Sequence, residues 1–264
     1  MQILQEFIVA PTKARLKNAL YGSALFVPAR NAYQGIFNRA AASLRSRMQS
    51  FYGQFFQQGD LVFDIGANAG DHSEIFADLG AKVIAVEPNP ECCKVLHKLS
   101  RRSPVTVEQC AVGDSVGTIR LHLSAESTLS TVSERWVEKT KEIPSLSRTK
   151  WLNSIEVPVT TLDVLAERHG IPRYVKIDVE GYEEQVLSGL SFFSDFLSFE
   201  FHILSSDVAT RCMERLRGYD FNVIVGSNPE FVHSTWVPSG EISDWMASYR
   251  GDKDFGDIFA RRKK

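Results

Sequence analysis

The chain has 264 residues, which suits one α/β domain with an extension or at most two small domains, and its 44% hydrophobic and 23% charged residues are ordinary for a soluble globular protein with a sizeable core. Its net charge of −2 argues against a nucleic-acid partner, whose binding face is usually basic. No apolar run approaches the ~18 residues of a membrane span. Lys13, Arg15 and Lys17 follow the first apolar residues instead of preceding them, so no signal peptide is expected and the chain is placed in the cytoplasm.

Residues 1 to 58 read as a helical extension. Within Arg39 to Phe56, the residues Leu44, Met48, Phe51 and Phe55 recur at spacings of four, three and four, one face of a helix. That face is expected to pack on a sheet edge; a lid or a homodimer contact are the alternatives. From Gly59 strands and helices alternate. Leu61–Ile65, Lys82–Glu87, Val105–Gln109, Tyr174–Asp178 and Phe196–His202 read as strands. Asp71–Leu79, Pro90–Leu99 and Asp207–Arg217 read as helices, as do Leu162–His169 behind a Thr161 cap and a segment running to about Leu190. Such alternation predicts a mostly parallel, doubly wound sheet with helices on both faces, a three-layer α/β fold.

Val116–Leu123 alternates like an edge strand, while Ser124–Ile155 is polar and lacks a period. A long segment of that kind is usually functional or disordered. Phe221–Val225 and Phe231–Val237 are expected to close the sheet as an antiparallel pair. The predicted organisation is an extension over 1–58, a domain over 59–240 and a tail over 241–264 with a basic, frayed end.

Chemistry concentrates at strand ends. Asp64-Ile-Gly66-Ala-Asn68-Ala-Gly70 joins a buried strand to a helix through a glycine turn. In dinucleotide sites a glycine makes room for pyrophosphate where Asn68 stands here, which favours a nucleoside without one. S-adenosylmethionine fits: Asp64 is expected to accept from its ammonium, directly or through water, and the amides from Asn68 to Gly70 to hold its carboxylate. Glu87, ending the next strand, is expected to take both ribose hydroxyls. Gln109 and Ala111, after the third strand, are candidates to flank the adenine. His72, just inside the turn, is expected to cap or line the pocket.

Lys176, Asp178 and Glu180 share one side of the fourth strand's carboxyl end, which faces the ligand crevice in an open α/β sheet. Glu200 and His202 end the adjacent strand. His202 is the first choice of general base, since imidazole titrates near neutrality, with Asp178 next and Glu200 beside them. An internal Lys176–Asp178 ion pair is the plainer reading of two of these groups. Lys176 and Glu180, with Ser127 and Ser130 of the polar segment, are the candidate substrate contacts. Asp178, Glu200 and His202 also admit a divalent cation, but no metal is assigned. The four cysteines form no C-x-x-C pair, so zinc is not expected and reduced thiols are.

These residues carry a resemblance. Asp64-Ile-Gly66-Ala-Asn68-Ala-Gly70, Glu87-Pro88-Asn89, Thr161-Leu162-Asp163, Lys176-Ile-Asp178-Val-Glu180-Gly181 and Phe199-Glu200 resemble, in order and spacing over about 59 to 204, the FkbM family of S-adenosylmethionine-dependent methyltransferases. The Lys-Ile-Asp-Val-Glu-Gly segment is the specific part; the glycine turn is shared with many methyltransferases. The first 58 residues carry no signature. The resemblance implies a seven-stranded doubly wound sheet with one antiparallel strand. It also implies methyl transfer to a hydroxyl oxygen of a small-molecule, sugar, glycan or natural-product acceptor. A nicotinamide-dependent oxidoreductase is the alternative enzyme, disfavoured by Asn68 and by the lack of a Tyr-x-x-x-Lys pair. A non-catalytic adaptor on the same sheet is the other.

Overall fold

A computed structural model describes residues 41–125, 129–143 and 146–263, and most of the expected 1–58 extension, with Ser127, lies outside the described residues. The chain divides into two units, Met1–Phe51 and Tyr52–Lys264. In the first, the described part is a helix, α1, over 41–52, whose last residue opens the second unit. The apolar spacing predicted it further, to Phe56, but Gly53 interrupts it and Gly has the poorest helix propensity after Pro.

The second unit begins with β1 (Leu61–Ile65), α2 (Asp71–Asp78), β2 (Lys82–Val86), α3 (Pro90–Ser100) and β3 (Val105–Glu108). Next come β4 (Ala111–Val112), β5 (Gly117–Ser124), α4 (Glu134–Lys139), β6 (Trp151–Thr160), α5 (Leu162–His169), β7 (Tyr174–Ile177) and α6 (Glu183–Ser188). It ends with β8 (Phe196–His202), a 3-10 turn (Ile203–Ser205), α7 (Ser206–Arg215), β9 (Tyr219–Val225), α8 (Ser239–Ser248) and β10 (Phe255–Arg262). Seven strands form one sheet in the order β3-β2-β1-β7-β8-β10-β9. The pairs among β3, β2, β1, β7 and β8 are parallel, and β10 runs antiparallel to both its neighbours.

The inner parallel strands β1, β2 and β7 are buried on both faces, which is why they read as largely apolar runs. One face packs Phe63, Ile65, Val175, Ile177, Leu197 and Phe199 into the main core. An aromatic cluster is built from Tyr52, Phe55, Phe76, Tyr174 and Phe259, with Phe55 stacked between Tyr174 at 5.4 Å and Phe259 at 5.2 Å. Helix starts follow local chemistry. Asn89 accepts from the Glu91 amide at 3.0 Å with Pro90 in the first turn of α3, and Thr161 caps α5 through the Val164 amide at 3.2 Å.

Three expectations are corrected. The partner of β9 is β10, not Phe231–Val237, which makes only an isolated bridge from Val237 to Phe221. The expected tail is therefore an inner strand preceded by a helix. Its Arg261 and Arg262 lie over the rings of Trp236 and Phe193, at 4.9 and 4.7 Å, so a basic end is compatible with a paired strand. The polar segment Ser124–Ile155 also carries regular structure: α4, and the first half of β6, which pairs with β5 in a second sheet ordered β4-β6-β5. Most of Trp151–Glu156 is exposed or half-buried, so no alternation marks it and the backbone ladder alone sets the strand.

Candidate functional site

The sheet brings two groups of polar residues to the carboxyl ends of its parallel strands. The first surrounds the β1–α2 turn. Gly66 has φ +81°, and a side chain there would meet the Asp178 carbonyl oxygen at 1.7 Å. The glycine is thus required by close approach of β1's end to β7's end, and not by a ligand alone. Gly70, φ +89°, lies against Leu96 of α3. Asn68 takes the left-handed conformation Asn tolerates, φ +47°, which turns its amide to Glu87.

Glu87 is the anchor of this edge. Its Oε2 accepts from the Asn68 amide and its Oε1 from the Asn89 amide, both at 2.8 Å. Each oxygen keeps a second lone pair. Burial pushes its pKa up to about 7, against the pull of the two amides. Asp64 is only 1% exposed and accepts from the Ser73 hydroxyl at 2.5 Å, so it sits beneath the turn. Burial raises its pKa, opposed by Lys176. The Gly70 amide is already donated to the Ala67 carbonyl. His72 is half-buried between Tyr52 and Phe76, and burial drops its pKa to about 3, so the ring is neutral. Gln109 is exposed beyond β3, while Ala111 is buried in the second sheet's cluster with Leu121 and Val157.

The second group stands at the ends of β7 and β8. Lys176 is 2% exposed, and its ammonium meets the Asp178 carboxylate at 2.7 Å. It is thus placed to act through its field, not as the substrate contact the sequence suggested. Burial would raise the Asp178 pKa, but the Lys176 ammonium outweighs it and holds the group ionised. Past β7 the chain turns at Glu180, φ +55°, a conformation costing a non-glycine residue about 1–2 kcal/mol. The Thr131 hydroxyl donates to the Glu180 carbonyl at 2.7 Å and accepts from the Ser133 amide, latching the polar segment onto this turn. Ser130, a predicted substrate contact, instead accepts from the Ser124 amide at 3.1 Å.

The latch delivers Trp136, which sequence reasoning noted only as part of the polar segment. Its ring lies 4.3 Å from that of His202 and against Gly181, where any side chain would strike it. Trp136, Gly181, Glu183, Glu200, His202 and Ser205 are among the residues lining a cavity of about 240 Å³. His202 Nε2 lies 3.5 Å from Glu200 Oε2. Burial works against the imidazolium, but Glu200, Glu183 and Asp254 together raise its pKa. Burial and the Asp178 charge push Glu200 up to about 7; burial and the Glu200 charge push Glu180 up strongly. One oxygen of Glu183, Oε1, accepts from the amides of Val179 and Gly181. Asp257 was missed altogether. It faces Glu200 in register from β10, and burial lifts it to about 6 against the Lys176 charge.

The arrangement provides a carboxylate with two open lone pairs on one edge and a carboxylate–imidazole cluster beside a cavity on the other. Comparison with known proteins agrees in kind. Residues 64–215 match the model of the methyltransferase FkbM domain. The chain is 32% identical to the 31-O-demethyl-FK506 methyltransferase FkbM of Streptomyces tacrolimicus over 213 residues, 68% of this chain and 79% of that one. It is 32% identical to the hexuronic acid methyltransferase AglP of Haloferax volcanii over 137 residues, 51% of this chain and about half (52%) of that one. The solved precorrin-6Y C5,15-methyltransferase of Geobacter metallireducens overlaps 82% of this chain and 86% of that one, at TM-score 0.42 and 14% identity. Among the described residues no helix is long and apolar enough to cross a membrane. The site lies where the family match falls, at the ends of β1, β2, β7 and β8, and the chain belongs to the FkbM methyltransferase family.

Proposed function

We propose that the chain methylates a hydroxyl oxygen of a sugar, glycan or natural-product acceptor with S-adenosylmethionine as donor. The observation that carries this is Glu87: a sheltered carboxylate at the end of β2, fixed by two backbone amides, with one lone pair free on each oxygen. That geometry suits the vicinal hydroxyls of a ribose. Asp64, Gly66, Asn68 and Gly70 would form the cradle for the amino-acid end, with Asp64 acting from beneath through its charge, and Gln109 and Ala111 would stand near the base. When bound, S-adenosylmethionine supplies an electrophilic methyl carbon on a sulfonium.

The chain's own task is then to orient the acceptor and receive its proton. The cavity beside β8 holds the acceptor. His202, 3.5 Å from Glu200 and covered by Trp136, would receive the proton of the acceptor hydroxyl. Asp178, kept ionised by Lys176, favours the positive charge that results. The names of the two relatives support a hydroxylated acceptor, one a demethylated natural product and the other a hexuronic acid.

Calorimetric titration with S-adenosylhomocysteine, with NAD in parallel, tests the reading. Binding of the first alone is expected. Binding of NAD alone would move the chain to the oxidoreductases, and binding of neither would remove the basis for methyl transfer.

A further inference from the structure

The β7–β8 rim holds titratable groups of two kinds. Lys176 and Asp178 pair with each other, and two amides hold one oxygen of Glu183. Glu180, Glu200 and His202 are different. One ligand atom from each lies within 4.8 Å of the others. Glu200 Oε2 and His202 Nε2 are buried and face each other at 3.5 Å, yet no hydrogen bond of acceptable geometry joins them or satisfies either elsewhere. One further buried polar atom nearby is also unsatisfied, the Ser205 hydroxyl, on a residue 8% exposed. Ser205, Trp136, Glu200 and His202 line the same cavity.

Buried polar atoms without hydrogen-bond partners are rare, and three around one cavity require an explanation. Atoms that ligate one cation at roughly 2.1–2.4 Å lie within about 4.8 Å of one another, a bound these three meet. Two carboxylates and a neutral imidazole also match a double positive charge, which would relieve the mutual repulsion of Glu180 and Glu200 in a buried setting. We infer that Glu180, Glu200 and His202 bind one divalent cation at the edge of this cavity. The strained turn at Glu180 has a function on this view: it carries the carboxylate off the line of β7 and toward β8. A mixed nitrogen–oxygen set favours manganese or zinc over magnesium.

The catalytic consequence rests on the methyl-transfer reading; the binding does not. A cation there would acidify an acceptor hydroxyl, taking over the role given above to free His202. The test uses the full chain, stripped with EDTA and desalted, and titrated with Mn²⁺ followed by electron paramagnetic resonance. One Mn²⁺ bound per chain is expected. His202→Ala and Glu180→Gln should each weaken that binding about tenfold or more. A rise in melting temperature with Mn²⁺ should appear in the wild type and be lost in both variants. Calorimetry with S-adenosylhomocysteine on the same preparations should show cofactor affinity unchanged within about twofold, because Glu87 and its amides are untouched. No Mn²⁺ uptake at millimolar concentration overturns the inference, whether or not S-adenosylhomocysteine binds. So does Mn²⁺ affinity equal in wild type and both variants. Loss of S-adenosylhomocysteine binding with Mn²⁺ uptake intact would instead overturn the methyl-transfer reading and leave the cation site standing.

Discussion

The two edges of the site solve opposite problems. At the ends of β1 and β2 the polar groups are held by the protein itself: Glu87 by two amides that leave a lone pair on each oxygen, Asp64 by Ser73, the Gly70 amide by Ala67. At the ends of β7 and β8, Glu200 Oε2, His202 Nε2 and Ser205 Oγ are buried without partners. A preorganised edge holds its ligand in a fixed pose and loses little on binding. An edge with unsatisfied groups stores unfavourable desolvation that a ligand or cation relieves. On the proposed reading, donor recognition and acceptor chemistry would occupy neighbouring but differently built regions, with Asp178 reaching both through its charge.

The largest predicted effect breaks what both regions share. Lys176 is the buried cation whose charge offsets Asp64, Asp178 and Asp257. Lys176→Met keeps the volume and removes the charge. It should cost about 3–5 kcal/mol of folding stability by urea denaturation, because uncompensated buried carboxylates remain. A loss below about 1 kcal/mol would show that the acids do not depend on it.

A smaller effect separates the regions. Glu87→Ala removes two hydrogen bonds to a charged group, at about 1.5 kcal/mol each, and should weaken S-adenosylhomocysteine about 100-fold. His202→Ala should leave that affinity unchanged and reduce methyl transfer to a hydroxylated acceptor about 100-fold or more. Equal loss of cofactor affinity in both variants would mean that the edges are one site and not two.

The same contrast decided what could be read beforehand. Strands β1, β2, β7 and β8 are apolar runs buried on both faces, and their polar terminal residues are visible against that background. Glu87, Asp178, Glu180, Glu200 and His202 were therefore legible as polar groups at the carboxyl ends of the strands. Depth was not legible: the alternation that put Lys176 beside Asp178 could not show that the lysine is enclosed. Nor was β6, exposed over much of its length and held by backbone pairing. Strand β10 resembled a charged tail because its arginines rest on aromatic rings supplied from elsewhere in the chain, which concealed Asp257. Trp136 meets His202 from a segment tied down by the Thr131–Glu180 latch, a contact across 49 residues with no local signature.

The smallest effect sharpens the account of the preorganised edge through pH. In the free chain burial raises the Glu87 pKa to about 7, above the ordinary carboxylate range. The folded state therefore holds this proton more tightly than the unfolded one, and Glu87's contribution to stability falls as pH rises through that range to about 7. Ribose hydroxyls donate to the carboxylate and not to the acid, so ligand affinity has the opposite slope. About a tenth of Glu87 is ionised at pH 6 and about nine tenths at pH 8, so S-adenosylhomocysteine should bind about tenfold more tightly at the higher pH. Glu87→Gln, with no ionisation in this range, should bind weakly and without that slope. A wild-type affinity flat from pH 6 to 8 would mean that Glu87 is already ionised at pH 6. The amides of Asn68 and Asn89 would then outweigh its burial, and the edge would be more completely preorganised than its depth alone suggests.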